Sequence, residues 1–284
     1  MNKKKVLLAF SGGLDTSFCV KYLADDLGFE VHTLTVNTGG FSEQEIQSLE
    51  IRAKELGVVS HHTADVTREY YDKILKYLVF GNVLKNGTYP LSVSAERMVQ
   101  ALSVARYAAQ IQADAVCHGS TGAGNDQVRF DMALHILAPG LEIITPIREL
   151  KLSREAEIDY LRKKNVNFNF DKAKYSINKG LWGTSVGGKE TLNSLGMLPE
   201  DAWPTQITRT DSEKIILGFN QGELVEINNE SFANPVEAIQ KLQAIAGPYG
   251  IGRDIHIGDT IIGIKGRVGF EAAAPMIIIK AHHA

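Results

Sequence analysis

The sequence has little cysteine and lacks long apolar runs. Its 284 residues include two cysteines, Cys19 and Cys117, which are too few for a disulfide framework and favour a reducing compartment. No apolar run reaches the roughly eighteen residues that a membrane-spanning helix needs. The apolar stretch at residues 6–10 is shorter than the core of a signal peptide. We therefore predict a cytoplasmic chain with no membrane partner.

An excess of basic residues is also missing. Lys plus Arg number 30 and Asp plus Glu number 33, for a formal net charge of -3. Proteins that bind phosphate backbones usually carry a clearly basic surface, so a nucleic-acid partner is not expected. The 44% hydrophobic and 22% charged residues are ordinary for a globular protein, and the length suits about two domains.

Short β-rich runs alternate with helical patterns in the first half of the chain. The predicted strands are KKVLLAF, EVHTLTV, VVSHHTADV, ADAVCHG and LEIITPI. Ser42 and Glu45 form a capping-box pattern at the start of the helix between the second and third strands. Such alternation is typical of βαβ units, so we predict an α/β fold with a doubly wound parallel sheet.

The pattern changes after about residue 172. KIILGF and ELVEI flank the turn residues 220–222 and predict a hairpin. A helix is predicted from Asn234 and Pro235 to Gly247, and DTIIGI and PMIIIKAH are predicted as further strands. We therefore predict a nucleotide-binding domain over residues 1–172 and a second, α+β domain over residues 173–284.

The motif SGGLDTS lies between the first predicted strand and the first helix. Gly12 and Gly13 allow a sharp turn close to a ligand, and the hydroxyls of Ser11, Thr16 and Ser17 stand beside amides at the helix start. This combination favours a binding site for a phosphate chain. An ordinary strand-to-helix turn with a serine cap is the alternative.

Asp15 lies inside this phosphate-binding motif. A carboxylate there repels a phosphate unless a cation lies between the two groups. Mg²⁺ bridging Asp15 and the phosphate oxygens removes the conflict, since Mg²⁺ prefers such oxygen ligands. The sequence thus predicts a magnesium contact at Asp15.

A second polar motif, HGSTGAGNDQVRF, begins where the fourth predicted strand ends. Asp126 offers an ammonium acceptor, Asn125 a two-way hydrogen-bonding amide and Arg129 a bidentate partner for a carboxylate. These groups suit an amino acid, although a polar surface loop is the alternative. Parallel strands end at one edge of a sheet, so this motif and SGGLDTS are expected to face one crevice.

The two motifs resemble argininosuccinate synthase, and the resemblance extends from Lys4 to the end of the chain. SGGLDTS alone resembles the broader ATP pyrophosphatase (PP-loop) superfamily, whereas TGAGNDQVRF and YSINKGLWGTS resemble only the synthase. The resemblance implies a HUP-like, adenine nucleotide alpha hydrolase-like domain followed by a synthetase domain. It also implies an arginine-biosynthetic ligase that condenses citrulline and aspartate through citrullyl-AMP, splits ATP into AMP and pyrophosphate, and forms a homotetramer.

The resemblance also implies roles for individual residues. The expected ATP contacts are Ala9, Phe10, Ser11, Gly12, Gly13, Leu14, Asp15, Thr16, Ser17, Val36 and Gly119. Within that set, the expected catalytic residues are Ser11, Asp15, Thr16 and Ser17. The expected aspartate contacts are Thr121, Asn125 and Asp126. The expected citrulline contacts are Tyr89, Ser94, Asn125, Arg129, Ser176 and Ser185.

Two positions depart from the family pattern. A citrulline-binding Glu of the family falls on Gly258, and a citrulline-binding Tyr falls on Phe270. A buried ammonium without an acceptor is costly, which favours a second interpretation, the same reaction on an N-acylated citrulline with Lys189 or Arg253 meeting an acyl carboxylate. A tRNA-modifying PP-loop ATPase and a non-enzymatic ATP-binding module are the remaining interpretations. The resemblance further implies that a C-terminal extension found in family members is missing after Ala284.

Overall fold

The first half of the molecule is a parallel sheet covered by helices. The computed structural model describes residues 3–122, 124–166, 175–260 and 263–284. Its first five strands are β1 (Lys5–Ala9), β2 (Glu30–Asn37), β3 (Ser60–Asp65), β4 (Ala115–Cys117) and β5 (Glu142–Ile144). They pair in parallel in the order β3-β2-β1-β4-β5. The predicted α/β fold is therefore confirmed.

Both faces of this sheet are buried. Val6 and Leu8 of β1 pack into one apolar cluster, while Leu7 between them packs into another. Successive side chains of a strand point to opposite faces, so a fully apolar strand needs helices on both sides. The helices of this half are α1 (Leu14–Lys21), α2 (Glu43–Glu55), α3 (Thr67–Tyr70), α4 (Lys76–Phe80), α5 (Ser92–Gln110), α6 (Asp126–Leu137), α7 (Pro146–Glu149) and α8 (Arg154–Lys163).

Local signals set several helix ends. The Ser42 hydroxyl accepts a hydrogen bond from the Glu45 amide, and the Glu45 carboxylate accepts one from the Ser42 amide, as the capping-box pattern predicts. Two π-helical segments, Tyr22–Asp26 and Tyr71–Leu75, continue α1 and α3. The sequence pattern did not predict them.

The second half combines antiparallel sheets with two helices. Its elements are β6 (Ser176–Gly180), β7 (Gly183–Gly187), β8 (Leu217–Asn220), β9 (Glu223–Ile227), β10 (Glu230–Ser231), α9 (Pro235–Ala246), β11 (Arg253–Thr260), β12 (Gly263–Glu271) and α10 (Ala273–His283). The sheet orders are β11-β12-β7-β6 and β10-β9-β8. The predicted hairpin is confirmed as β8 and β9, with positive φ at Gln221 and Gly222 in the turn. The α9 helix is capped by Asn234, as predicted.

Two of the predicted strands are wrong. PMIIIKAH lies in helix α10, where buried Ala274 and Ile278, and likewise Pro275 and Ile279, recur at helical spacing. A continuous apolar run does not by itself distinguish a strand from a helix, which explains the error. DTIIGI is not one strand, because it covers the end of β11 and the start of β12; residues 261 and 262 lie outside the described residues.

The two halves share one apolar core. The cluster that contains Leu7 and Val99 of the first half also contains Trp182, Ile239 and Ile278 of the second. The predicted boundary at residues 172 and 173 falls outside the described residues and stays a prediction. None of the helices in the described ranges is long and apolar enough to cross a membrane.

The turn between β6 and β7 is fixed to the carboxyl end of β2. The Leu181 amide donates to the Thr38 carbonyl at 2.9 Å. Gly40 packs directly on the backbone of Lys179, where a Cβ would collide with the carbonyl oxygen. This close approach brings the antiparallel sheet to the edge at which the parallel strands end.

Candidate active site

The two polar motifs meet at the carboxyl edge of the parallel sheet. β1 and β4 are neighbours although about a hundred residues separate them, so the loops that follow them lie side by side. A Cβ at Gly119 would lie 3.3 Å from the Asp15 Cβ and 3.4 Å from the Thr16 Cγ2. The strand order reverses between these two strands, and ligands of open α/β sheets bind at such a point.

In the loop at residues 11–17, position 12 requires glycine and three side chains carry hydroxyl groups. Gly12 has φ +73°, a left-handed conformation that favours glycine, and an added Cβ would collide with the Leu49 side chain. The Ser11 and Thr16 hydroxyls are 3.3 Å apart. The Ser17 hydroxyl is buried without a hydrogen-bond partner among the described residues. Backbone amides and unpaired hydroxyls at a helix start are suited to hold an anion.

Not every predicted ATP contact offers a side chain. Phe10 and Leu14 are buried, and the Phe10 ring packs edge-on against His61. Val36 of β2 belongs to the apolar core. Ala9 ends β1. In these residues, the polar atoms available to a ligand belong to the backbone and not to the side chains.

Asp15 lies beside a carboxyl group that the motif did not include. Glu157 of α8 interacts with Asp15, and its Oε2 atom is buried without a hydrogen-bond partner among the described residues. Burial raises the pKa of Asp15. Burial and the Asp15 carboxylate together raise the pKa of Glu157 to about 8. Without a cation, Glu157 therefore favours its protonated form at neutral pH.

These residues fit a magnesium ion bound together with a triphosphate. Carboxylate oxygens are the ligands that Mg²⁺ prefers, and a divalent cation would remove the repulsion between Asp15 and Glu157 that helps to raise the pKa of Glu157. The unpaired Ser17 hydroxyl adds a donor for a phosphate oxygen.

His118 fixes the start of the second polar loop. Its ring is buried, its Nε2 lies 2.8 Å from Asp131 Oδ1, and its Nδ1 accepts a hydrogen bond from the Ser120 amide at 3.3 Å. Arg148 holds the other Asp131 oxygen at 2.6 Å. The Ser120 amide thus fixes the tautomer, with the proton on Nε2. The ring sets the backbone next to Gly119.

Asp126 is already paired in this structure. Arg97 Nε donates to its Oδ2 at 3.1 Å and Arg129 Nη1 donates to its Oδ1 at 2.7 Å. Burial opposes ionisation of Asp126, but the two guanidinium groups outweigh it and lower its pKa. Asp126 is therefore ionised at neutral pH, as an ammonium acceptor must be. Each carboxylate oxygen keeps a second lone pair for a ligand.

Arg97 links this carboxylate to the antiparallel sheet. Its Nη2 donates to Asn178 Oδ1 at 2.7 Å, and Asn178 Nδ2 donates to Ser185 Oγ at 3.4 Å. Asn178 and Ser185 are paired across β6 and β7. Ser176 is two residues from Asn178 and therefore lies on the same face of β6. The Arg97 guanidinium thus contacts Asp126 directly and Ser185 through Asn178.

Tyr89 packs among aromatic rings of the second half of the chain. Its hydroxyl accepts hydrogen bonds from the Val93 amide at 3.1 Å and from the Ser92 hydroxyl at 3.2 Å, which leaves its own proton available to a ligand. The Tyr89 ring stacks on His256 with centroids 3.9 Å apart and packs against Phe270 at 5.1 Å.

The remaining predicted contacts lie on the same loops. Thr121 is exposed after β4, and Asn125 directly precedes α6. Ser94 is in the first turn of α5, where its hydroxyl is 3.5 Å from the Leu91 carbonyl. These positions agree with roles in ligand contact but do not by themselves assign the ligand.

Comparison with known proteins identifies the family. Residues 5–167 match the model described as "Arginosuccinate synthase N-terminal HUP domain", and residues 175–284 match "Arginosuccinate synthase C-terminal domain". The chain belongs to the argininosuccinate synthase family. The resemblance seen in the sequence motifs is thus confirmed.

Several argininosuccinate synthases are similar over nearly the whole chain. The enzyme from Methanocaldococcus jannaschii is 41% identical over 98% of this chain and 70% of its own length. Those from Dictyoglomus thermophilum and Xylella fastidiosa are each 39% identical over 100% of this chain, and over 71% and 72% of their own lengths. The chain therefore spans about 70% of these relatives. The tRNA-modifying, N-acylated and non-enzymatic interpretations are not favoured.

A solved structure is also similar, but distantly. It is described as a predicted subunit of tRNA methyltransferase from Methanocaldococcus jannaschii, with a TM-score of 0.39 and 17% identity. The match covers 56% of this chain and 74% of that one. A likeness at this level has no bearing on function.

Both positions that depart from the argininosuccinate synthase pattern, Gly258 and Phe270, lie near Tyr89. Phe270 is buried against Tyr89 and pairs with Ser185 across β12 and β7. Gly258 is two residues from His256 on β11, so its Cα lies on the face that covers Tyr89. The aromatic rings of Tyr89, His256 and Phe270 thus occupy the end of the site where a Glu and a Tyr were expected.

Sequence reasoning missed four polar residues of the site. Asn178 and His118 were within the quoted motifs but had no role assigned, and Arg97 and Glu157 lay outside those motifs. Arg97 and Glu157 lie on amphipathic helices, where a charged residue gives no local sign of a distant partner. The partners of all four depend on long-range contacts.

Proposed function

We propose that this chain is an ATP-dependent argininosuccinate synthase that joins citrulline and aspartate and releases AMP and pyrophosphate. The family membership supports the reaction. The observation that carries the proposal is the adjacency of the loop at residues 11–17 with Gly119, because it gives a triphosphate and an amino acid one crevice. ATP and Mg²⁺ are the proposed nucleotide and cation.

The ATP site comprises the loop at residues 11–17. Its amides and the Ser11, Thr16 and Ser17 hydroxyls would hold the phosphates and stabilise the charge that develops on pyrophosphate as it leaves. Asp15 and Glu157 would hold Mg²⁺, which supplies a positive charge to the phosphate oxygens. Gly119 leaves room for the nucleotide beside Asp15.

The amino-acid sites would lie around Arg97 and Tyr89. Asp126 is proposed to accept the aspartate ammonium, with Thr121 and Asn125 beside it. The Tyr89 hydroxyl, free to donate its proton, would meet the citrulline carboxylate together with Ser94. Arg129, Ser176 and Ser185 would hold the ureido end, next to the α-phosphate of ATP.

The reaction then needs alignment more than acid–base catalysis. The ureido oxygen attacks the α-phosphorus, the bond to the β-phosphate breaks and pyrophosphate leaves, which gives citrullyl-AMP. The aspartate amine next attacks the ureido carbon, the bond to AMP breaks, and the amine loses a proton. Holding reactants in line contributes on the order of 7–11 kcal/mol, and one well-placed donor about 3–4 kcal/mol.

A pyrophosphate-release assay tests the proposal. With ATP, Mg²⁺, citrulline and aspartate we expect pyrophosphate, AMP and a product with the mass of argininosuccinate, and none of that product when one amino acid is omitted. N-succinylcitrulline is tested as an alternative to citrulline, because Gly258 and Phe270 replace the expected polar residues. A strong preference for it would change the assigned substrate, and turnover of neither would refute the proposal.

A matched pair of variants tests the loop. Asp15→Asn is expected to lower kcat by on the order of 100-fold, the loss typical of one group that stabilises transition-state charge. Asp159→Asn, at an exposed position of α8, should leave kcat unchanged. Equal rates for the two variants would remove Asp15 from the mechanism.

A cytoplasmic location also belongs to the proposal, supported by the two buried cysteines, which are unbridged in the structure. The homotetramer implied by the family resemblance stays a prediction, and analytical ultracentrifugation of the purified chain measures it.

A further inference from the structure

Arg97 lies outside the sequence motifs, yet it makes several polar contacts at the crevice. It lies in the first two turns of α5, and its side chain is only 12% exposed. Its Nε reaches Asp126 of α6 and its Nη2 reaches Asn178 of β6. A single guanidinium therefore connects three elements at the crevice, two from the first half of the chain and one from the second.

The charge on Arg97 is balanced within the same cluster. Glu96 Oε1 accepts a hydrogen bond from Arg97 Nη1 at 2.7 Å, and Gln100 Oε1 accepts one at 2.9 Å. Glu96 itself is almost completely buried against Gly180 in the turn between β6 and β7. The guanidinium is thus held on two sides by residues of its own helix, so its two outward donors have a fixed direction.

Those two outward donors lead to different parts of the crevice. One goes to Asp126, which also binds Arg129 at 2.7 Å. The other goes to Asn178, whose amide donates to Ser185. In the proposed function, Asp126 belongs to the aspartate site, whereas Ser185 belongs to the citrulline site. Arg97 therefore joins the two sites through one hydrogen bond to each side.

From this geometry we infer that Arg97 is a positioning residue that sets the distance between the two amino-acid sites. It acts through Asp126 on one side and through Asn178 on the other, without contact to either substrate being required. The inference rests on the proposed function, since it assumes that these sites hold aspartate and citrulline. A planar guanidinium suits this task, because its fork of donors fixes both partners at once, which an ammonium does not.

The inference predicts a specific kinetic pattern. Arg97→Gln should raise the KM for aspartate and for citrulline together by about tenfold or more and lower kcat, because small displacements of aligned reactants have large effects on rate. The KM for ATP should stay within about twofold, because the loop at residues 11–17 makes none of these bonds. Arg97→Lys keeps the charge but not the fork, and should recover only part of the loss.

Two further variants separate positioning from general stability. Asn178→Ala removes the hydrogen bonds that connect Arg97 to Ser185, so it should raise the KM for citrulline more than that for aspartate. Arg106→Gln on the same helix removes only a pair with Glu69 in which the arginine side chain is 53% exposed, and should leave all three KM values unchanged. Melting temperatures of all variants, measured in parallel, show whether a loss reflects unfolding.

The outcomes are distinguishable. The inference is supported if both amino-acid KM values rise in Arg97→Gln while the KM for ATP does not. It is overturned if a folded Arg97→Gln variant keeps both values, or if all three KM values rise equally. An inactive wild-type chain would instead refute the proposed function, and this inference with it.

Discussion

The two sides of the crevice are prepared for their ligands in opposite ways. The loop at residues 11–17 contains the Ser17 hydroxyl, and Glu157 lies beside the loop; each has a buried oxygen without a hydrogen-bond partner among the described residues. Around Arg97 the ionised groups are already paired with one another. Within the described residues, the first side thus keeps unpaired polar atoms, whereas the charged groups of the second side are paired with one another.

The difference follows from what each side is proposed to bind. A triphosphate with its cation brings enough charge to satisfy several buried polar groups at once. A zwitterionic amino acid has no net charge, so unpaired buried charges waiting for it would destabilise the folded protein. Paired guanidinium and carboxylate groups avoid that destabilisation and still offer free lone pairs and N–H groups.

Removing Asp126 should have the largest effect, because it breaks the ion pairs with Arg97 and Arg129. Asp126→Ala leaves two guanidinium groups facing each other. We expect kcat/KM for aspartate to fall by on the order of 100-fold, and the free energy of unfolding to fall by about 2 kcal/mol. The stability loss is below the ~3–5 kcal/mol of a fully buried pair because the Asp126 side chain is 35% exposed.

Steady-state kinetics and urea unfolding check this prediction. Asp72→Ala, which removes an exposed partner of Arg68, is the control and should change neither quantity measurably. Comparable losses in both variants would show that the pairing around Arg97 has no special role.

Gly40→Ala should separate the two sides of the crevice. The new Cβ would collide with the Lys179 backbone and push the turn between β6 and β7 away from β2. Overpacking of this kind costs about 1–3 kcal/mol, and turnover should fall with it. Thermal unfolding and the pyrophosphate assay measure both effects. Gly140→Ala, where an added Cβ meets nothing within 4 Å, is the matched control; the same loss there would contradict the prediction.

The raised pKa of Glu157 beside Asp15 predicts a pH dependence of stability. Because the pKa of Glu157 is about 8 in the folded protein and near 4.5 in the unfolded chain, the folded state binds more protons between these pH values. The free energy of unfolding should therefore fall as pH rises from about 5 to about 8. Glu157→Gln cannot ionise and should show a flatter profile.

Urea unfolding without Mg²⁺ or nucleotide at pH 5 and pH 8 measures this effect. Each unit of pKa shift corresponds to about 1.4 kcal/mol, so part of the predicted shift is enough to be seen. Glu155→Gln on the same helix removes an exposed carboxyl whose pKa is lowered instead, and should not flatten the profile. Identical profiles for wild type and Glu157→Gln would contradict the raised pKa of Glu157.

The smallest predicted effect comes from a substitution outside both sides of the crevice. Ser42→Ala removes the cap of α2 and should cost about 1 kcal/mol with little change in kcat. Ser48→Ala in the middle of the same helix should cost less, since the Ser48 hydroxyl only bonds back to the Gln44 carbonyl. A kcat loss in Ser42→Ala would show that α2, which contacts Gly12 through Leu49, influences the loop.

The sequence was sufficient for elements that local patterns determine. The five parallel strands, the Ser42 cap and the hairpin at residues 220–222 follow from apolar runs, capping residues and turn residues that act over a few positions. The adjacency of the two polar motifs also followed, because the end of a parallel strand always lies at the same edge of the sheet.

Other features depend on contacts that no local pattern determines. Helix α10 was predicted as a strand because its apolar run has no visible period, and packing against α9 selects the helix. The pairing of Asp126 with Arg97 and of Asp15 with Glu157 joins residues 29 and 142 positions apart. The SGGLDTS motif predicted a site for a phosphate chain but gave no sign that Glu157 lies beside Asp15.

Trp182 provides an internal optical reporter for this architecture. It is fully buried at the turn between β6 and β7, and its indole N–H donates to the Pro90 carbonyl just before α5. The chain has only one other tryptophan, Trp203, which is partly exposed beside Arg253. A Trp203→Phe variant would therefore emit from Trp182 alone, and a red shift of that fluorescence would signal water entering the seam where the two halves of the chain meet.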